Sequence, residues 1–147
     1  MTIRNIRECD YFRATDGSLL CELLHPYNVG LDMGFSLAHA ILRRGEASEP
    51  HRLRESVEVY YIMDGEATMH IDDEVFSVKE GDAIHIPAGS VQYIENTGDS
   101  ELSFLCIVSP PWSKDDEELV ESGYFSGKVY HYSKSKQNLG AEDRDKK

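Results

Sequence analysis

An imidazole, a carboxylate and an amide stand out in this chain because turn residues hold them at fixed intervals. Gly45 is followed by five residues and His51, one residue and Leu53, four residues and Glu58, six residues and Gly65. A second run sets Gly81, Pro87, Gly89, Gln92 and Asn96 apart by five, one, two and three residues. His51 and Leu53 are two apart, so in a strand both point to one face. Glu58 opens the next strand-like run and Gln92 a later one, so the side chains at 51, 53, 58 and 92 can converge inside a closed sheet. Glu58 and Tyr60 project to the same side. A carboxylate enclosed there is desolvated, its pKa rises, and it becomes suited to general acid/base work. Tyr60 can donate a hydrogen bond to a substrate oxygen or act as a second acid/base. The plainer alternatives are that Glu58 simply pairs with His51 and that Tyr60 packs as an aromatic plug.

The elements that must position these groups read as short strands. The runs are SLLCELL (18–24), FSLAHAIL (35–42), VEVYYIM (57–63), ATMHID (67–72), VFSV (75–78), AIHIP (83–87), VQYIEN (91–96) and LSFLCIV (102–108), punctuated by glycine, proline and aspartate. Strands at this spacing, with no long helical periodicity between them, predict an antiparallel sandwich or small barrel. Between Val57 and Met63 both faces are apolar: Glu58, Tyr60 and Ile62 point one way, Val57, Val59, Tyr61 and Met63 the other. Such a strand needs a second layer, from the N-terminal segment or from another subunit, and a homodimer is expected. After Pro110-Pro111, Ser113 and Asp116 resemble a capping box, and DDEELVES predicts a short helix. The expected organisation is an N-terminal arm (1–16), a barrel (17–112), a C-terminal helix and extension (113–132) and a polar, flexible tail (133–147).

The two spaced runs together resemble the paired motifs of the cupin superfamily, G(X)5HXH(X)3–4E(X)6G and G(X)5PXG(X)2H(X)3N. The flanking text, VEVYYIMDGEATMHIDDE and VKEGDAIHIPAGSVQYIENTGD, is similar too. The resemblance implies an all-β fold, an antiparallel jelly-roll (cupin) barrel, over roughly residues 17–110. It does not specify a reaction, because this fold hosts many. In metal-binding cupins the four converging positions hold three histidines and a glutamate; here Leu53 and Gln92 replace two of the imidazoles. The implied metal set is therefore His51, Glu58 and Gln92, holding a divalent ion (Mn, Fe, Ni or Zn) weakly. Loss of two imidazoles from the metal's immediate ligands costs more than about 3 kcal/mol of affinity. Two functions follow. One is an enzyme of the isomerase, lyase or oxygenase kind, with Glu58 and Tyr60 catalytic. The other is a metal-free ligand-binding or sensing module, favoured by the apolar Leu53.

The remaining histidines carry no motif. His39 shares a face with Phe35, Leu37 and Ile41, so it looks into the cavity or is a hydrogen-bonded core residue. His85 alternates with Ile84 and Ile86 and is expected to face outward; His70, beside Thr68 and Asp72, is expected to be solvated. Twenty-seven acidic against 15 basic residues give a net charge of −12, which repels phosphate backbones and anionic lipid. Nucleic acid and membrane are thus excluded as expected partners, and a small-molecule ligand is left. The N-terminal MTIRNIRECDYFR has no apolar signal stretch and no run reaches the length of a membrane span, so a cytoplasmic location is expected. Cys9, Cys21 and Cys106 form no CxxC and leave one thiol over in any pairing, which fits a reducing compartment.

Overall fold

The computed structural model describes residues 1–121. A 3-10 turn at Ile6–Glu8 precedes β1 (Phe12–Arg13) and β2 (Leu19–Leu24), and a single helical turn, α1 (Pro26–Val29), leads to β3 (Ser36–Leu42). Then come β4 (His51–Leu53), β5 (Val57–Asp64), β6 (Glu66–Ile71), β7 (Glu74–Lys79), β8 (Ala83–Ile86), β9 (Gln92–Asn96), β10 (Leu102–Ser109) and β11 (Glu117–Leu119). These form two antiparallel sheets, ordered β1-β2-β3-β10-β5-β8 and β11-β4-β9-β6-β7. The architecture is the all-β jelly roll expected from the strand pattern.

Period-two alternation decides what each strand buries. Glu58, Tyr60 and Ile62 of β5 point inward with Ala38, Ala40 and Leu42 of β3 and Phe104 and Cys106 of β10. One end of the barrel is sealed by Leu42, Ile62, Met69, Ile94 and Leu102, each fully buried. Full burial of such a side chain contributes about 1.5–3 kcal/mol. Toward the other end the inner face turns polar, because Ser36, Glu58, His51 and Gln92 lie there. Gly65 makes the β5–β6 turn at φ +96, where a Cβ would stand 2.9 Å from the Glu101 carbonyl oxygen. Both constraints require glycine.

Several expectations need correction. No helix forms at 113–121: Ser113–Asp116 is a turn, and Glu117–Leu119 pairs antiparallel with Leu53–His51. A segment of eight residues is too short to hold a helix by propensity alone, and here edge pairing wins. Arg52 grips Glu118, and the Asp116 carboxylate accepts from the backbone N–H groups of Glu55 (2.7 Å) and Ser56 (3.1 Å). The rest of the expected extension and the tail lie outside the described residues. The arm is not separate, since β1 falls within it and pairs with β2. Cys9 and Cys21 are joined in a disulfide, and Cys106 is a buried free thiol. Cysteine counting missed this pair because nothing in the spacing shows that the arm folds back over β2.

That fold-back also explains His39. It faces away from the cavity, 3% exposed, with Nδ1 2.6 Å from the Tyr11 hydroxyl and Nε2 2.6 Å from Ser103 Oγ. His70 is buried rather than solvated: its ring stacks on Tyr93 at 4.0 Å and its Nε2 lies 3.5 Å from Glu95 Oε1. His85 is exposed on the outer face opposite Val59, as expected. On that same outer face Val57, Tyr61 and Met63 stay exposed, 36–43%. Among the described residues, no segment of the chain covers them.

Candidate functional site

His51 and Gln92 sit directly opposite one another on β4 and β9, in the five-stranded sheet. Glu58 reaches toward them from β5, in the other sheet, and Gln92 Nε2 donates to Glu58 Oε1 at 2.8 Å. The three groups that the spacing singled out therefore meet across the barrel, each 7% exposed or less. His51 and Glu58, but not Gln92, line a cavity of about 30 Å³ whose walls also include Tyr60, Asp16, Glu22 and Glu117. Leu53, at the remaining motif position, is buried opposite Glu117 and offers no donor.

The proton positions follow from the partners. A backbone carbonyl only accepts, so His51 Nδ1 carries the hydrogen and donates to the Glu49 carbonyl at 2.7 Å. His51 Nε2 is thereby turned toward Asp16, whose Oδ2 lies 3.8 Å away. Asp16 is held in place by its other oxygen, which accepts from the Ser18 backbone N–H (3.0 Å) and hydroxyl (2.7 Å). Burial alone would lower the His51 pKa, but the carboxylates of Asp16, Glu117 and Glu58 and the Glu49 carbonyl outweigh it, and the pKa is raised. Burial pushes the Glu58 carboxyl up to about 7, against the opposing pull of His51 and the Gln92 hydrogen bond. Burial, with Glu58 next to it, raises Tyr60 well above its ordinary range. Tyr60 therefore remains a phenol that donates. Its ring packs on Phe104 at 4.7 Å.

The donor set does not fit a firmly held transition metal. It contains one imidazole, one carboxylate engaged by an amide, and one neutral amide, with a hydrocarbon where a third nitrogen would be needed. Among the described residues, no group of three or more His, Cys, Asp or Glu side chains is arranged to hold an ion. The Gln92 Oε1 atom is buried with no hydrogen-bond partner there. A lone neutral amide oxygen is a weak donor to a transition metal. What the arrangement can do without a metal is move protons. It has a carboxyl that changes charge near neutrality, an imidazole held between a carbonyl and a carboxylate, and a phenol.

Three cavity residues were not foreseen. Asp16 comes from the β1–β2 turn, Glu22 from β2, and Glu117 from the strand expected to be helix. Asp16 and Glu117 belong to no spaced motif, and the only signal for Glu22 was its place as the lone charged residue in SLLCELL.

A family profile described as the cupin domain matches residues 38–108. The chain is 43% identical over 106 residues to an uncharacterized protein of Methanocaldococcus jannaschii, covering 72% of this chain and 84% of that one. It is 30% identical over 106 residues to the polyketide synthase CurC of Streptomyces cyaneus, covering 72% and 68%. Among solved structures, the Streptomyces nucleoside dehydratase Pac13 aligns with a TM-score of 0.67 over 82% of this chain and 92% of that chain. Its sequence identity is 16%, so that likeness concerns the fold alone. With the barrel, the converging site and these matches in agreement, the chain belongs to the cupin family.

Proposed function

We propose that this cupin acts on a small molecule by proton transfer, as an isomerase or lyase working without a bound metal. The observation that carries this is Glu58: a buried carboxyl with a pKa near 7, facing a cavity it shares with His51 and Tyr60. A base poised near the working pH combines a usable ionised fraction with a favourable driving force. Ionised Glu58 takes the proton from a carbon next to a carbonyl or hydroxyl-bearing carbon. The electron pair moves onto the carbonyl oxygen, and His51, protonated at Nε2, gives its proton to that oxygen. Tyr60 donates a hydrogen bond to the same oxygen, and Gln92 orients Glu58 through its Nε2 hydrogen bond. Return of Glu58's proton to the former carbonyl carbon, with the neighbouring hydroxyl giving its proton back to His51, completes an isomerisation; in a dehydration the enolate oxygen stays unprotonated under Tyr60's hydrogen bond, and His51 gives its proton instead to the hydroxide leaving from the next carbon. The nucleoside dehydratase of the same fold is one instance of the second outcome.

The test needs no known substrate. The protein is incubated in D₂O with a panel of small hydroxy-aldehydes and hydroxy-ketones, and loss of the C–H signal next to the carbonyl is followed by proton NMR. Exchange by the wild type that Glu58→Gln abolishes supports the proposal. No exchange, or equal exchange by the variant, contradicts it. In the latter case Leu53, a hydrocarbon at a motif position that would otherwise carry an imidazole, favours the second reading: a cupin that binds its ligand without chemistry.

A further inference from the structure

The interior cavity holds about two water molecules by volume, far less than a substrate. Its outer neighbour is larger. A groove of about 680 Å³, within the range of small-molecule sites, is lined by Pro26, Tyr27, Pro111 and Trp112, with Glu22 and Lys114. Glu22 and Trp112 are walls of both spaces. A second groove of about 640 Å³, beside Phe76 and His85, shares no wall with the cavity. Size therefore does not choose between the two grooves, but adjacency to the site does: Glu22 and Trp112 form the partition between groove and cavity.

The shared wall is built from fixed parts. The Trp112 indole donates from Nε1 to Glu117 Oε2 at 2.7 Å, and its backbone N–H donates to Ser36 Oγ at 2.9 Å. The opposite wall is tied to it by His25. The Trp112 carbonyl only accepts, so His25 Nε2 donates to it (2.8 Å), while His25 Nδ1 accepts from the Tyr27 backbone N–H (3.2 Å). The His25 ring stacks beneath Tyr27 at 5.3 Å, and Tyr27 is 94% exposed. A flat aromatic is thus braced from below and open above. Beyond Trp112 the cavity presents the carboxyls of Asp16, Glu22, Glu58 and Glu117 and a single imidazole, His51. Aromatic faces flanked by carboxylates favour a cation or a hydrogen-bond donor and repel an anion.

From this shared partition we infer that the Tyr27–Trp112 groove is the outer subsite of the same site. It seats the ring of a neutral or amine-bearing ligand, whose hydroxyl or ammonium end passes Trp112 toward Glu58. The inference rests on the proposed function only for what happens at the buried end. It assigns Tyr27 and Trp112 to specificity, and it places carboxylates and phosphates at the wrong end of the substrate.

Trp112 is the only tryptophan in the chain, so its fluorescence reports on this wall without a label. The probes are benzylamine, benzyl alcohol and phenylacetate, which share a ring and differ in terminal charge. Titration of the full chain with benzylamine is expected to give a saturable change in Trp112 emission, with phenylacetate weaker by about tenfold or more and benzyl alcohol between them. Tyr27→Ala should weaken benzylamine by about fivefold and leave the melting temperature unchanged. Glu58→Gln, which removes a carboxylate facing the ligand's buried end, should weaken benzylamine by about fivefold and lose deuterium exchange. Absence of a saturable change with every probe, equal affinity for all three, or full binding by Tyr27→Ala would each overturn the inference. Binding by the groove with no exchange by the wild type would sink the catalytic proposal instead, and exchange without groove binding would sink only this one.

Discussion

Replacing Glu58 by Gln should make the protein more stable at alkaline pH while removing the proposed deuterium exchange. In the folded protein the Glu58 carboxyl is raised from 4.5 to about 7, chiefly by burial. A raised carboxyl pKa means that the native state binds the proton more tightly than the unfolded chain does. The stability it contributes is therefore present in full below pH 4.5 and is lost as pH rises through 7. The difference of about 2.5 units corresponds to about 3 kcal/mol. Glutamine keeps the shape and can still accept from Gln92 Nε2, but it carries no charge to desolvate. His51, whose pKa is also raised, works in the same sense: its contribution is present below 6.5 and lost as pH passes its folded value. Part of the pH slope should consequently survive in the variant. The assay is urea unfolding of wild type and Glu58→Gln at several pH values from 4 to 9, compared pairwise so that other titrating groups cancel. Near-equal stability at pH 4 and an advantage for the variant approaching about 3 kcal/mol at pH 9 is expected. A variant that is less stable than wild type at pH 9, or a difference that does not change with pH, would show that Glu58 is not desolvated in the folded chain.

Other consequences can be measured independently. Tyr60→Phe should keep stability within about 1 kcal/mol, because the ring still packs on Phe104, yet it should slow deuterium exchange through loss of the donated hydrogen bond. Dialysis against a chelator should leave the wild-type melting temperature unchanged, while Leu53→His should cost about 1–3 kcal/mol and recover stability when Zn²⁺ is added. Cys9→Ser should lower stability by about 3 kcal/mol in urea unfolding, from loss of the Cys9–Cys21 loop. We further propose that the exposed Val57–Tyr61–Met63 face pairs with a second copy; sedimentation should then show a dimer that Tyr61→Glu converts to a monomer, and a monomeric wild type would refute it.

How much could be read from the chain alone depended on whether a residue obeyed a local rule. Strand β5 was legible as a run of β-branched and aromatic residues closed by Asp64-Gly65, although both of its faces are apolar. The meeting of His51, Glu58 and Gln92 was legible because turn residues fixed the intervals between their strands. Asp16 and Glu117 were not, because both reach the cavity from segments that the motifs do not cover, and tertiary pairing put β11 where local charge patterning suggested a helix. His70 shows the same limit from the other direction. Its neighbours Thr68 and Asp72 look solvated in sequence, but whether an outer sheet face is covered depends on distant residues, here Tyr93 of the adjoining strand and Val120 packed against it. The Cys9–Cys21 bond belongs to this group too, since only the arm's path over β2 brings the sulfurs together.

Carbon-13 NMR of the Glu58 side-chain carboxyl, assigned by comparison with Glu58→Gln, reports most directly on whether the barrel encloses a proton-transfer group. A titration midpoint near 7 is expected. A midpoint in the ordinary range for a solvated glutamate, about 4.3, would contradict it and remove the physical basis for the proposed chemistry.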